Sequence, residues 1–271
     1  MKRPGFFGAM ALFMTVLSPA HSATVLITGA NSGLGLEFAK QYASAGWDVI
    51  ATHRRSQIPP TLAALQAEFG NVRVETIDVT SEADAAALAR RLNGVPIDVL
   101  INNAGVYNDR SNCNAEDCPG DWSTQVFGNL RFGLLDTILA VNVKGPLIVS
   151  EALLENVLAS EQKKIVAISS SNGSLTGPEY SSGLIFYRAS KAALNRAMQL
   201  VALDQREAGV TVLMLNPGPV LTERQEYMRE QFAEVMLEMS DSVGGMIEQI
   251  GAATLEDSGR FIQYDGATVP W

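Results

Sequence analysis

Thr24-Val25-Leu26-Ile27-Thr28-Gly29-Ala30-Asn31-Ser32-Gly33-Leu34-Gly35 changes character within twelve residues, from an apolar, β-branched run to a turn holding three glycines. A run that is apolar on successive residues suits a strand covered on both faces, and the glycines suit a tight exit into a helix. Main-chain N–H groups at a helix start attract negative charge, and glycines let the backbone approach a phosphate closely. Gly29, Asn31, Ser32, Gly33, Leu34 and Gly35 are therefore candidates for holding a pyrophosphate. The same letters also make a plain strand-to-helix turn.

The pattern continues outward from this stretch. Short apolar segments at Thr24–Thr28, Asp48–Thr52, Val72–Ile77, Asp98–Asn102, Lys164–Ser169, Val210–Leu215 and Arg260–Tyr264 predict strands. Between them, helical periodicity predicts helices at about 33–45, 60–69, 81–92, 134–159, 187–208 and 242–251. In the fifth, Ala193, Leu194, Ala197, Met198 and Val201 form a stripe expected to face the core. Strands alternating with helices imply a parallel sheet, and right-handed crossovers then give one doubly wound α/β domain over residues 23–271. Residues 107–133 read as a surface loop and 223–241, with alternating acidic and apolar residues, as a helical lid.

Further candidates fall at the carboxyl ends of the strands, where ligands of such sheets bind. Asp78 ends the third strand and can accept a hydrogen bond from an adenine amino group, or cap a helix. Asn103, Ala104 and Gly105 end the fourth and suit a loop pressed against a ribose. The fifth ends in Ser169-Ser170-Ser171, whose hydroxyls can meet a carbonyl oxygen. After the sixth, Pro217, Gly218, Val220 and Thr222 can line a nicotinamide or form a rigid turn. Tyr187 and Lys191 stand four residues apart on one helical face, an arrangement in which an ammonium lowers the pKa of a phenol. Asn142 sits in a helical segment where a helix former would cost less, and can bend that helix or simply lie exposed.

Together these residues form an ordered series that resembles the short-chain dehydrogenase/reductase family over about residues 24–271. Thr28–Gly35 matches its T-G-x-x-x-G-x-G, Asn102–Gly105 its N-N-A-G, and Tyr187 with Lys191 its Y-x-x-x-K. Phe261-Ile262-Gln263-Tyr264-Asp265-Gly266 and Trp271 are similar to the C-factor and sniffer-like carbonyl reductase branch. The resemblance implies a Rossmann fold with a seven-stranded parallel sheet flanked by helices, and hydride transfer between a nicotinamide and a carbonyl or alcohol. It implies that Tyr187 is the acid, that Lys191 holds the ribose and tunes Tyr187, and that Asn142 anchors a relay water. S-x-x-G selects Ser170 as the catalytic serine, with Ser171 the alternative because the stretch from Gly173 to Tyr187 is long. The second strand ends Thr52-His53-Arg54-Arg55 without an acid, so Arg54 or Arg55 can pair with a 2′-phosphate. NADP(H) is then the preferred cofactor and NAD(H) the lesser alternative. Relatives run from monomers to tetramers, so a homodimer or tetramer is compatible. The reading from another class is a catalytically silent NADP-binding sensor or interaction module on the same fold.

A net charge of −9 over 271 residues argues against nucleic acid or an anionic membrane as partner. Met1-Lys2-Arg3, the apolar Phe6–Leu17 and Ala20-His21-Ser22 have the layout of a signal peptide over residues 1–22; a start codon placed too far upstream is the other account. The apolar run is short for a membrane anchor, and none is expected. The first account sends the chain to the periplasm or beyond, the second keeps it in the cytoplasm. Cys113 and Cys118, the only cysteines, close a disulfide in the exported form and stay thiols in the cytosol. On the export account the native protein starts near Ala23 and contains no free thiol. Intact mass and thiol titration of the denatured native protein, without reductant, check this; two thiols on a chain still beginning at Met1 place the enzyme in the cytosol.

Overall fold

The structure is a computed structural model and describes residues 22–108, 121–177, 182–220, 222 and 234–271. The leader, both cysteines and lid residues 223–233 lie outside the described residues.

Seven strands form one sheet: β1 (Thr24–Ile27), β2 (Asp48–His53), β3 (Val72–Thr76), β4 (Val99–Asn102), β5 (Lys164–Ile168), β6 (Thr211–Asn216) and β7 (Phe261–Gln263). Their order is β3-β2-β1-β4-β5-β6-β7, and every pair is parallel. The sheet is thus the doubly wound one implied by the sequence, with its switch point between β1 and β4.

Eight α-helices cover it among the described residues: α1 (Gly33–Ser44), α2 (Pro60–Glu68), α3 (Glu82–Arg91), α4 (Phe132–Leu139), α5 (Gly145–Ala152), α6 (Leu154–Leu158), α7 (Ile185–Asp204) and α8 (Met239–Ala252). The unbroken apolar strands are explained by two cores. Val25 and Ile27 of β1 and Leu213 and Leu215 of β6 face Phe38 of α1, Leu62 of α2 and Met246 of α8. Their neighbours Leu26, Val212 and Met214 face Leu88 of α3, Val149 of α5 and Met198 of α7. Side chains alternate across a strand, so only a sheet buried on both faces uses apolar residues at every position.

Four sequence expectations need correction. The helix expected over 134–159 is broken into α4, a π turn at Ala140–Lys144, α5 and α6. The supposed loop at 107–133 contains a 3₁₀ turn at Ser123–Gln125 and the start of α4, while residues 239–241 of the supposed lid belong to α8. In α7, Ala193 is exposed, and the buried face is Phe186, Ser190, Lys191, Leu194, Asn195, Met198 and Ala202. Three polar residues take core positions there, so an apolar stripe read from periodicity points partly the wrong way.

Candidate active site

The crevice at the switch point is built on one hydroxyl. Thr28 Oγ1 accepts the main-chain N–H groups of Asn103 at 2.9 Å and Ala104 at 3.0 Å. Asn103 Nδ2 in turn donates to the carbonyls of Thr28 at 2.9 Å and Gly29 at 3.2 Å. This join fixes the β1–α1 turn against the end of β4. Gly29 and Gly33 take left-handed φ values of 65° and 56°, as the turn requires. At Gly35 a Cβ atom would lie 2.4 Å from both the Gly29 carbonyl oxygen and Asn103 Nδ2, so a side chain there would break the join. Ser32, the residue before α1, is half-buried and makes no side-chain cap bond to the helix. Asn31 supports the turn from the other side, its carbonyl accepting from Thr61 Oγ1 at 2.8 Å. Leu34 is half-buried and packs on the core around α1.

Arg54 and Arg55 are exposed just beyond the end of β2. His53 is buried, with Nδ1 accepting the Arg55 N–H at 3.1 Å; burial, then the Arg55 charge, lowers its pKa. Asp78 Oδ1 accepts from the Thr80 N–H at 2.9 Å and the Thr80 hydroxyl at 2.7 Å. Those bonds, with a smaller contribution from the Arg54 guanidinium, hold the Asp78 carboxyl below the usual range. Asp78 thus shapes a turn at the crevice edge, while the cap of α3 is Ser81, which accepts from the Asp84 N–H at 3.1 Å. On the far side, the Pro217 carbonyl accepts from Ser242 Oγ at 2.6 Å, the Pro219 carbonyl accepts the Leu237 N–H at 2.8 Å, and Val220 pairs with Leu237. These bonds fold the 217–220 segment back over the sheet edge, and the half-buried Thr222 follows it.

Tyr187 is half-buried, and the nearby Ser170 hydroxyl acts to lower the pKa of its phenol. Ser171 is exposed and uses its N–H on Asn216 Oδ1 at 3.0 Å, so the geometry favours Ser170 of the two serines. Gly173 makes that placement possible: a Cβ there would lie 2.7 Å from the Lys191 carbonyl carbon, so only glycine lets the serine turn rest on α7. Lys191 is 6% exposed, donates to the Ile168 carbonyl at 2.8 Å and lies 5.7 Å from the Tyr187 ring centroid. Burial pushes the Tyr187 phenol up to about 12, against a lowering by Ser170 and with a further rise from Tyr107. Burial also brings Lys191 down to about 8. The expected lowering of Tyr187 by Lys191 is therefore not what the structure gives. The ammonium is aimed at a carbonyl, and desolvation of the phenol outweighs it.

Asn142 is 1% exposed and lies within the π turn, which rules out the exposed alternative. Its Oδ1 accepts the Val106 N–H at 2.7 Å, and its Nδ2 donates to the Val106 carbonyl at 2.8 Å and to Ser190 Oγ at 3.0 Å. Both Nδ2 hydrogens of the side chain are thus used on protein partners. Ser190 Oγ donates to the Tyr187 carbonyl at 2.7 Å, and Gln125 Oε1 accepts the Tyr187 N–H at 2.9 Å. Sequence reasoning missed both residues. Ser190 was readable as a serine bonding three residues back, whereas a glutamine inside a polar loop carries no signal.

A glycine turn at the switch point, with a buried lysine beside a half-buried phenol, has the layout of a dinucleotide crevice. The profile of the family described as short chain dehydrogenase matches residues 23–233, and the chain belongs to that family. It is 32% identical over 251 residues to the 1-hydroxy-2-glutathionyl-2-methyl-3-butene dehydrogenase of Rhodococcus sp. (strain AD45), covering 92% of this chain and 100% of the relative. Against the C-signal protein of Myxococcus xanthus the identity is 34% over 176 residues, 65% of this chain and 93% of that one. The NADPH-bound carbonyl reductase from chicken fatty liver superposes with a TM-score of 0.80 at 27% identity, covering 93% of this chain and 100% of that one. The chain is an oxidoreductase.

With Lys191 brought down to about 8, its amine is charged at pH 7 and loses the proton as pH rises through that value. A nitrogen-15 titration of the lysine side chains, with Lys191→Met to assign the signal, should show one lysine with a midpoint near 8. A midpoint at the ordinary lysine value means that the amine is solvated rather than buried.

Proposed function

We propose that this enzyme uses NADP(H) to interconvert a small-molecule carbonyl and its alcohol, with Tyr187 as the general acid in reduction. The observation that carries the reading is the Tyr187 ring lying 5.7 Å from the ammonium of buried Lys191, with the serine turn that bears Ser170 packed on the same helix. Bound NADPH supplies the hydride for the carbonyl carbon. The residues that suit it are Gly29 to Gly35 for the pyrophosphate, Asn103 to Gly105 for the ribose side, and Pro217, Gly218, Val220 and Thr222 towards the nicotinamide. The close approach at Gly35 and the left-handed turn at Gly29 and Gly33 support that fit.

In reduction, Ser170 Oγ donates a hydrogen bond to the substrate carbonyl oxygen, which polarises it and brings it to Tyr187. As the carbon gains the hydride pair, the phenol gives its proton to that oxygen and an alcohol results. A phenol held protonated by burial is suited to donate, and the neighbouring ammonium offsets the charge left on the phenolate. Asn142 touches neither reactant; it acts through Ser190 and Val106, whose positions it sets.

Tyr187→Phe should lower kcat by about two to four orders of magnitude with NADPH and an aldehyde or diketone, while cofactor affinity barely changes. Lys191→Met should damage both. A Tyr187→Phe enzyme with most of the original rate means that another group is the acid.

The cofactor reading rests on exposed Arg54 and Arg55 in place of an acid at the end of β2, together with the NADPH named for the chicken enzyme. Removing the arginine that holds the 2′-phosphate should cut kcat/KM for NADPH by about ten- to a hundredfold and leave NADH nearly unchanged. Arg54→Ala and Arg55→Ala, assayed side by side, identify it. Equal losses with both cofactors in both variants contradict the 2′-phosphate assignment.

A further inference from the structure

Helix α7, which carries Tyr187 and Lys191, begins without a local cap. The residue before it, Leu184, has φ 61° and ψ 36°, a left-handed conformation uncommon for an apolar side chain, and offers no side-chain acceptor. The first turn of any helix has N–H groups without intrahelical partners, and Ser, Thr, Asp or Asn normally meets one of them. Here the third N–H of the helix is that of Tyr187, and its acceptor comes from 62 residues earlier in the chain: Gln125 Oε1, at 2.9 Å.

Gln125 is 0% exposed, at the end of the 3₁₀ turn. A buried amide must place both its ends, and the other end donates from Nε2 to the Tyr107 carbonyl at 2.9 Å. The Tyr107 ring meets the Tyr187 ring edge-on, with centroids 4.8 Å apart. Val106, the preceding residue, is gripped by Asn142, which bonds Ser190, which bonds the Tyr187 carbonyl. The result is a closed polar circuit: Tyr187 is held through its N–H by Gln125 and through its carbonyl by Ser190, and both lines return to Val106-Tyr107. The turn bearing Gln125 is itself braced, with the Thr124 carbonyl accepting the Arg131 N–H at 3.0 Å and the Ser123 carbonyl accepting from Asn129 Nδ2 at 3.2 Å.

We infer that Gln125 is a positioning residue for the reaction: it is the remote cap of α7, and it sets Tyr187 against the Val106-Tyr107 loop after β4 from the 121–131 segment. The inference rests on Tyr187 being the acid, as proposed above. Its physical content is that the phenol oxygen can be held in reach of a substrate oxygen only if the first turn of α7 is fixed, and Leu184, at the cap position, has no side-chain acceptor to fix it.

Gln125→Leu keeps the volume and removes both hydrogen bonds, so the Tyr187 amide should exchange with solvent at least about tenfold faster. Its kcat should fall about ten- to a hundredfold, the range expected from a misplaced catalytic group, with the KM for NADPH unchanged. Gln125→Glu, whose protonated carboxyl offers the same donor and acceptor, should recover kcat relative to the parent enzyme as pH is lowered, a response that a loss of packing alone does not produce. Should Gln125→Leu fold poorly, Gln125→Glu still decides the matter through its pH profile and amide exchange. An unchanged exchange rate at Tyr187, or a Gln125→Leu kcat within twofold of the parent, overturns the inference. A fully active Tyr187→Phe enzyme with faster exchange in Gln125→Leu overturns the catalytic reading and leaves the cap standing.

Discussion

The Thr28 hydroxyl and the Asn103 amide carry the reference point for the whole crevice. Four hydrogen bonds between 2.9 and 3.2 Å tie the turn after β1 to the end of β4, across the place where the strand order reverses. Two loops leaving a sheet edge in opposite directions would otherwise diverge, and each has main-chain groups that cost free energy if buried without partners. The join satisfies those groups with side chains on the opposing loop. The close approach at Gly35 follows from it, because Asn103 and Gly29 occupy the space in which a Cβ would stand.

A second constraint acts on α7. A helix packed on a sheet usually presents an apolar face, but this one buries Ser190, Lys191 and Asn195 among Leu194 and Met198. Each of these residues makes a hydrogen bond that also positions something else: Ser190 the Tyr187 main chain, Lys191 the end of β5, and Asn195, through Oδ1, the Ser169 hydroxyl. Burial of this kind raises the Tyr187 phenol and lowers the Lys191 amine together. The same desolvation favours the neutral form of both groups, so the phenol stays protonated and the lysine is the one of the two that titrates nearer physiological pH.

The π turn at Ala140–Lys144 belongs to the same arrangement. A regular helix through Asn142 would satisfy the main chain more simply. The wider turn instead accompanies a fully buried amide whose three bonds reach the loop after β4 and the middle of α7. π turns occur at functional sites because they redirect a side chain without ending the helix. Asn142 and Gln125 therefore do related work from opposite sides of Tyr187.

By itself the sequence determined the alternation of strand and helix, the parallel sheet, and the glycine turn, because each depends on local periodicity or on residues without a side chain. Runs such as Val212-Leu213-Met214-Leu215 have few ways to be buried other than between two helical layers. The pairing of Tyr187 with Lys191 was legible for the same reason, since both lie on one helix at a fixed spacing. Tertiary structure alone set Ser170 apart from Ser171, burying the first and leaving the second exposed with its N–H on Asn216. It alone broke the helix expected over 134–159 and turned Ala193 outward. It alone brought Gln125 to the main chain of Tyr187, a contact between residues 62 apart that no local pattern encodes, because a hydrogen bond depends on distance in space and the periodicity of a sequence records only neighbours along the chain.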